Sequence, residues 1–100
     1  MQKCILKIIL DNDLYDEMTD SLLTFPLREL EFMGFSVQAH TRSLEDISEQ
    51  VSGFKQKMVI EITTDDIEAE KIYQYVKQTL TEANFEVQLF PLLNVQLSMD

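Results

Sequence analysis

Cysteine is nearly absent from this 100-residue chain. Cys4 stands alone, so no internal disulfide can form, and its apolar surroundings make it a small core hydrophobe suited to a reducing compartment. Long hydrophobic runs are missing as well. The first apolar run, Cys4 to Leu10, is interrupted by Lys7 and followed by Asp11 with no small-residue cleavage site, so a signal peptide, a membrane span and direct membrane insertion are not expected. A cytoplasmic location follows as an expectation. Basic residues are scarce: 8 Lys and Arg face 18 Asp and Glu, a formal net charge of −10. That field repels phosphate backbones and anionic headgroups and attracts cationic protein surfaces or metal ions, so nucleic acid is not an expected partner. Histidine occurs once, at His40. With Cys4 in an apolar run, no nucleophile has a base within reach, and the abundant carboxylates form no catalytic constellation, so an enzyme is not expected.

What is present suffices for one domain, residues 1–100, because 45% hydrophobic residues can fill a core without metal or disulfide. Lys3 to Leu10 places apolar residues on both parities and predicts a strand buried on two faces. Asp11, Asn12 and Asp13 offer caps for a helix whose Leu14, Met18, Leu22 and Phe25 share one face. Pro26 stops or kinks it. Leu27 to Met33 reads as a further helical turn closed by Gly34. Phe35, Val37 and Ala39 alternate with polar residues as a second strand ending at His40, and Thr41 to Gly53 reads as a mobile loop. Gln56 to Thr64 is the clearest strand, with Met58, Ile60 and Ile62 on one face. Asp65 and Glu68 start a second helix with the stripe Ala69, Ile72, Val76, Leu80 and Ala83, capped by Asn84. Phe85, Val87 and Leu89 give a fourth strand, Pro91 breaks it, and Val95 and Leu97 suggest a short C-terminal strand.

Strand–helix–strand thus occurs twice. This predicts an α+β, ferredoxin-like βαββαβ sandwich, a four-stranded antiparallel sheet with both helices on one face and the first and third strands central. On the uncovered face Ile5, Ile9, Val59 and Phe90 form an apolar patch, which predicts an oligomer interface.

This chain resembles the PII-like superfamily, trimeric ferredoxin-like regulators whose long loop between the second and third strands reaches a ligand or a target. Gly34-Phe35, His40, Leu44, Glu49-Gln50-Val51, Gly53 and the closing Phe90-Pro91-Leu92 resemble a family of small PII-like proteins encoded beside heavy-metal efflux pumps. The resemblance implies a homotrimer and a regulatory, signalling role, with a metal-efflux transporter or other protein as partner. Nucleotide-binding PII proteins clamp phosphates with glycine-rich backbone and several basic residues; this chain has two glycines and, near the loop, only Arg42, Lys55 and Lys57. The loop holds no tyrosine, so a uridylylation switch does not carry over. The acylphosphatase anion loop, glycine-rich and ending in arginine, is missing from both halves.

The candidate ligand or partner contacts are His40, Arg42, Glu49, Gln50, Gly53 and Lys55, since binding residues concentrate on loops held by a rigid scaffold. A small-molecule effector or a divalent metal is the implied cofactor. A metal-binding accessory protein is the alternative reading, with His40, Glu45 and Asp46 as ligands. A surface imidazole tied to a local carboxylate is the plainer role for His40. Met18 and Met58 lie on apolar faces and read as core packing.

Overall fold

The computed structural model describes residues 1–40 and 55–93. Along the chain run β1 (Lys3–Asp11), a 3-10 turn (Asn12–Leu14), α1 (Tyr15–Leu23), β2 (Phe32–Ala39), β3 (Lys55–Asp65), α2 (Asp66–Thr79) and β4 (Phe85–Pro91). The strands form one sheet in the order β2-β3-β1-β4, with every neighbouring pair antiparallel. This is the expected α+β ferredoxin-like arrangement. A C-terminal strand at Val95 and Leu97 falls outside the described residues.

Strand alternation decides what is buried. Cys4, Leu6, Ile8 and Leu10 of β1 and Ile60 and Ile62 of β3 are at most 4% exposed. They pack against Met18 and Leu22 of α1 and Ala69, Ile72 and Val76 of α2. The opposite parity of β1 is only half-buried, because no helix covers that side. Burial pushes the Cys4 thiol pKa up, reinforced by the negative charges of Asp66 and Asp65, so the thiol stays protonated and unreactive.

The start of α2 follows from its sequence. Asp65 accepts the Glu68 backbone N–H at 2.8 Å, and Asp66 accepts those of Ile67 and Gln2 at 3.1 and 3.0 Å. Carboxylates at this end also meet the positive end of the helix dipole. The other end departs from the periodicity, since α2 stops at Thr79 rather than at Asn84. The Thr79 hydroxyl donates to the Tyr75 carbonyl and meets the Ser21 hydroxyl across the helix pair, a local bond that competes with continued helix.

The connection from α1 to β2 corrects the sequence reading. No helical turn follows Pro26, and β2 already begins at Phe32. Phe25 and Leu30 plug the core while Leu27 and Met33 are exposed, so apolar spacing imitates a helix that is not formed. The residue before a proline is pushed out of helical backbone, which favours this extended path. Thr24 and Phe25 dock on Tyr75 by a 2.7 Å hydroxyl contact and an edge-on ring contact at 5.6 Å. Gly34 is not a helix terminator but a strand residue lying under Tyr15. A Cβ there would stand 2.8 Å from the Tyr15 ring, so a side chain at this position would force Tyr15 to shift.

Arg28 pins the same connection to α2. Its Nε donates to Glu68 Oε2 at 2.6 Å, its Nη2 to Oε1, and Thr64 donates to the same carboxylate. The hydrogen bond from Arg28 holds the Glu68 pKa below the usual carboxylate value, opposed by burial and helped by Thr64. A depressed folded-state pKa stabilises at neutral pH, and that contribution is lost as pH falls through the folded value. Because the Arg28 side chain is 42% exposed, screening limits the pair to about 1 kcal/mol. Urea titrations of wild type and Arg28→Ala should therefore differ by about that amount at pH 7 and converge in acid. Equal midpoints at pH 7 would remove the pair from the account.

Candidate functional site

The sheet face turned away from the helices carries the site. Antiparallel register sets Ile9 beside Val59, Val59 beside Phe35 and Ile5 beside Phe90, so these side chains share one face. Ile5 with Phe90 and Ile9 with Val59 thus form two pairs on this face, with Lys7 between them along β1. Val59 is only 3% exposed although it lies outside the main core, because Ile9 and Phe35 flank it. Lys7 Nζ sits 5.8 Å from the Phe90 ring centroid, a cation–π contact on the same face.

β2 enlarges this face beyond what was read from sequence. Gly34, Ser36 and Gln38 pair with Ile60, Met58 and Gln56 on the helix side, so Met33, Phe35, Val37 and Ala39 turn to the open side. The parity of β2 was visible. Its direction was decided by Gly34 beneath Tyr15, a tertiary contact with no local signature.

Where β1, β2, β3 and the start of β4 meet, the open face sinks into a hollow of about 570 Å³. Its polar lining includes Lys7, Asp11, Lys55, Lys57, Asn84 and Glu86. Asp11 had read as a helix cap, yet its side chain caps nothing. Instead its Oδ1 lies 3.5 Å from both Lys55 Nζ and Lys57 Nζ. This correction needed the pairing of Asp11 with Lys57 across the sheet, two residues far apart in sequence.

The hollow opens beside the root of segment 41–54. His40 follows the last residue of β2, and Lys55 opens β3 opposite Ala39, so the sheet brings His40 and Lys55 to the two ends of that segment. Arg42, Glu45, Asp46, Glu49, Gln50 and Gly53 fall outside the described residues. Among the described residues no three His, Cys, Asp or Glu side chains are grouped as metal ligands. A second hollow of about 530 Å³ lies by Lys3, Arg28, Glu61 and Glu68. There Arg28 and Glu68 already satisfy each other.

Charge is distributed unevenly. Open-side strand positions carry Lys3, Lys7, Lys55 and Lys57 against Asp11, Glu61, Asp65 and Glu86, a neutral balance. Elsewhere in the described residues only Arg28, Lys71 and Lys77 oppose the remaining carboxylates, so the acidic excess lies on the helix layer and connections. No described helix is long and apolar enough to cross a membrane.

Solved structures share this architecture. CPII, a nitrogen regulatory PII-like protein from Thiomonas intermedia K12 seen bound to ADP, AMP and bicarbonate, superposes with a TM-score of 0.62 at 12% identity, covering 97% of this chain and 98% of that one. PII from Arabidopsis thaliana bound to citrate gives 0.63 at 13% identity, over 91% of this chain and 78% of that one. The fold is that of a PII-like ferredoxin-like domain. A DUF3240 family protein from Shewanella baltica OS155 gives 0.69 at 17% identity, over 98% of this chain and 99% of that one. The model of the family described as Protein of unknown function (DUF3240) matches residues 1–97, and the chain belongs to that family. No curated protein matches the sequence.

Proposed function

We propose that the chain is a non-enzymatic PII-like regulatory protein that senses a small anion in the open-face hollow and passes its occupancy to a partner protein. The carrying observation is the lining: in a chain of net charge −10, Lys7, Lys55 and Lys57 converge on one hollow beside a long segment between paired strands. The ligands of the two PII proteins above, adenine nucleotides, bicarbonate and citrate, are all anions, which supports the same chemistry here. The Lys57 Nζ–Asp11 Oδ1 pair, at 3.5 Å, is a loose one, so an anion arriving at Lys57 competes with that carboxylate. Occupancy is then read out through the difference in the partner protein's affinity for the empty and the occupied domain. The proposal includes self-association through the open face as a homotrimer, and a metal-efflux transporter as the partner, on the resemblance given above.

Calorimetric titration with bicarbonate, citrate, ADP and AMP tests this directly. At least one should bind, and Lys57→Ala should weaken it roughly ten- to a hundredfold, the scale of a charge-assisted hydrogen bond. Asp11→Asn should strengthen it, since the resident counter-charge is removed. That opposite sign separates electrostatics from general damage. Silence from all four anions would overturn the sensing role. Zinc or copper binding abolished by His40→Ala would instead support the metal-binding alternative.

A further inference from the structure

Lys7 belongs to two places at once. It lines the open-face hollow, yet its Nζ stands 5.8 Å from the centroid of the Phe90 ring, which lies outside that lining. The register explains this double position. On the open side β4 sets Glu86 beside Ile9, Gln88 beside Lys7 and Phe90 beside Ile5, so Lys7 occupies the rung between the hollow and the ring. Ile9 and Glu86 belong to the hollow. Glu61 faces Lys7 from β3, and Gln88 donates its amide to Glu86 at 3.0 Å, so the neighbour over which the Lys7 ammonium is placed is the aromatic face. Its four-carbon stem is flexible enough to turn either way.

We propose that Phe90 sets the anion affinity of the hollow by competing with the ligand for Lys7. This rests on the anion sensing proposed above and adds the residue that tunes it. The ring quadrupole attracts the ammonium modestly, whereas an anion offers it a charge-assisted hydrogen bond, and one ammonium turned to the ring is not turned to the hollow. Phe90 is thus a positioning residue that acts through Lys7. Chains with Lys7 over the ring present one cation fewer to the ligand, and the apparent affinity falls with the fraction of chains in that state. Lys57 stays beside Asp11 in both states. Occupancy also changes the other end of β4, because a Lys7 drawn to the anion leaves the Phe90 ring, 46% exposed, as bare aromatic surface. A partner protein then has a difference to read without touching the ligand.

Substitutions at Phe90 that alter the pull of the ring in opposite directions test this. In calorimetric titrations with bicarbonate, citrate, ADP and AMP, Phe90→Leu should bind roughly two- to fivefold more tightly than wild type, the scale of an exposed cation–π contact, and Phe90→Trp more weakly. Damage to the fold would not give opposite signs. In a Lys7→Met background both substitutions at Phe90 should leave affinity unchanged, as a coupling between the two residues requires. Nuclear magnetic resonance reads the movement itself: the Lys7 Cε protons, shielded over the ring in the free protein, should move toward ordinary lysine positions as the anion saturates. An anion that binds while these protons stay put, or with equal affinity in wild type, Phe90→Leu and Phe90→Trp, would overturn the inference and leave anion sensing standing. Binding of none of the four anions would remove both.

Discussion

Ile9→Glu is expected to leave the chain folded and monomeric at concentrations where the wild type forms the proposed trimer. Ile9 lies on the open side of β1, beside Val59 and Glu86 in register, so a carboxylate there meets an apolar neighbour on one side and a like charge on the other. In an isolated chain it points to water and costs little. In an assembly closed over the open face it is buried without a partner, a penalty of about 4 kcal/mol, or on the order of a thousandfold in dissociation constant. Light scattering at roughly tens of micromolar reads the result, with far-ultraviolet circular dichroism as the check on fold. A trimeric Ile9→Glu would show that the open face stays wet. A monomeric wild type would show that no such face is used.

The fold was legible because its core elements agree at every level. In β3, period-2 alternation, β-branched residues and burial coincide: Ile60 and Ile62, named on one face from spacing alone, are both fully buried. The Asp65 cap and the Ile72 and Val76 stripe of α2 were equally local and equally right. The connection after α1 was misread because Leu27, Leu30 and Met33 sit at helical spacing, whereas only Leu30 is buried. Spacing shows that a face can form, but tertiary contacts decide whether it does. Here Tyr75 and Glu68 pull the chain along α2 instead.

The candidate site was legible only in part, for a related reason. His40 and Lys55 could be placed at the ends of segment 41–54 because strand ends are local features. Phe35 and Val37 were recognised as an apolar face, but not as part of the same surface as Ile9 and Val59. That required knowing that the helix side of β2 is closed by Tyr15 over Gly34. Asp11 resisted for the same cause: next to Asn12 and Asp13 it resembles a cap, and its partners Lys55 and Lys57 lie in another strand. Residues whose partners are distant in sequence carry no periodicity that would reveal them.

Ile8→Ala is the counterpart of Ile9→Glu, one residue away and opposite in what it should change. Ile8 is 0% exposed and lies between Ile60 and Val87 on the helix side, in the central strand β1. Truncation removes three carbons from a packed site ringed by strands and helices, with little freedom to collapse, so a loss of about 3–4 kcal/mol is expected. For a domain of this size that is a large share of the usual 5–15 kcal/mol. The urea midpoint should fall substantially with an unchanged slope, since the surface exposed on unfolding is nearly the same. Association should weaken only through the smaller folded fraction, so raising protein concentration should recover assembly in Ile8→Ala and not in Ile9→Glu. If Ile8→Ala lost less than about 1 kcal/mol, the side chain would not be the packed centre of the core that its burial indicates. The pair of variants thus separates the two faces of β1, one stabilising each chain and the other proposed to join copies.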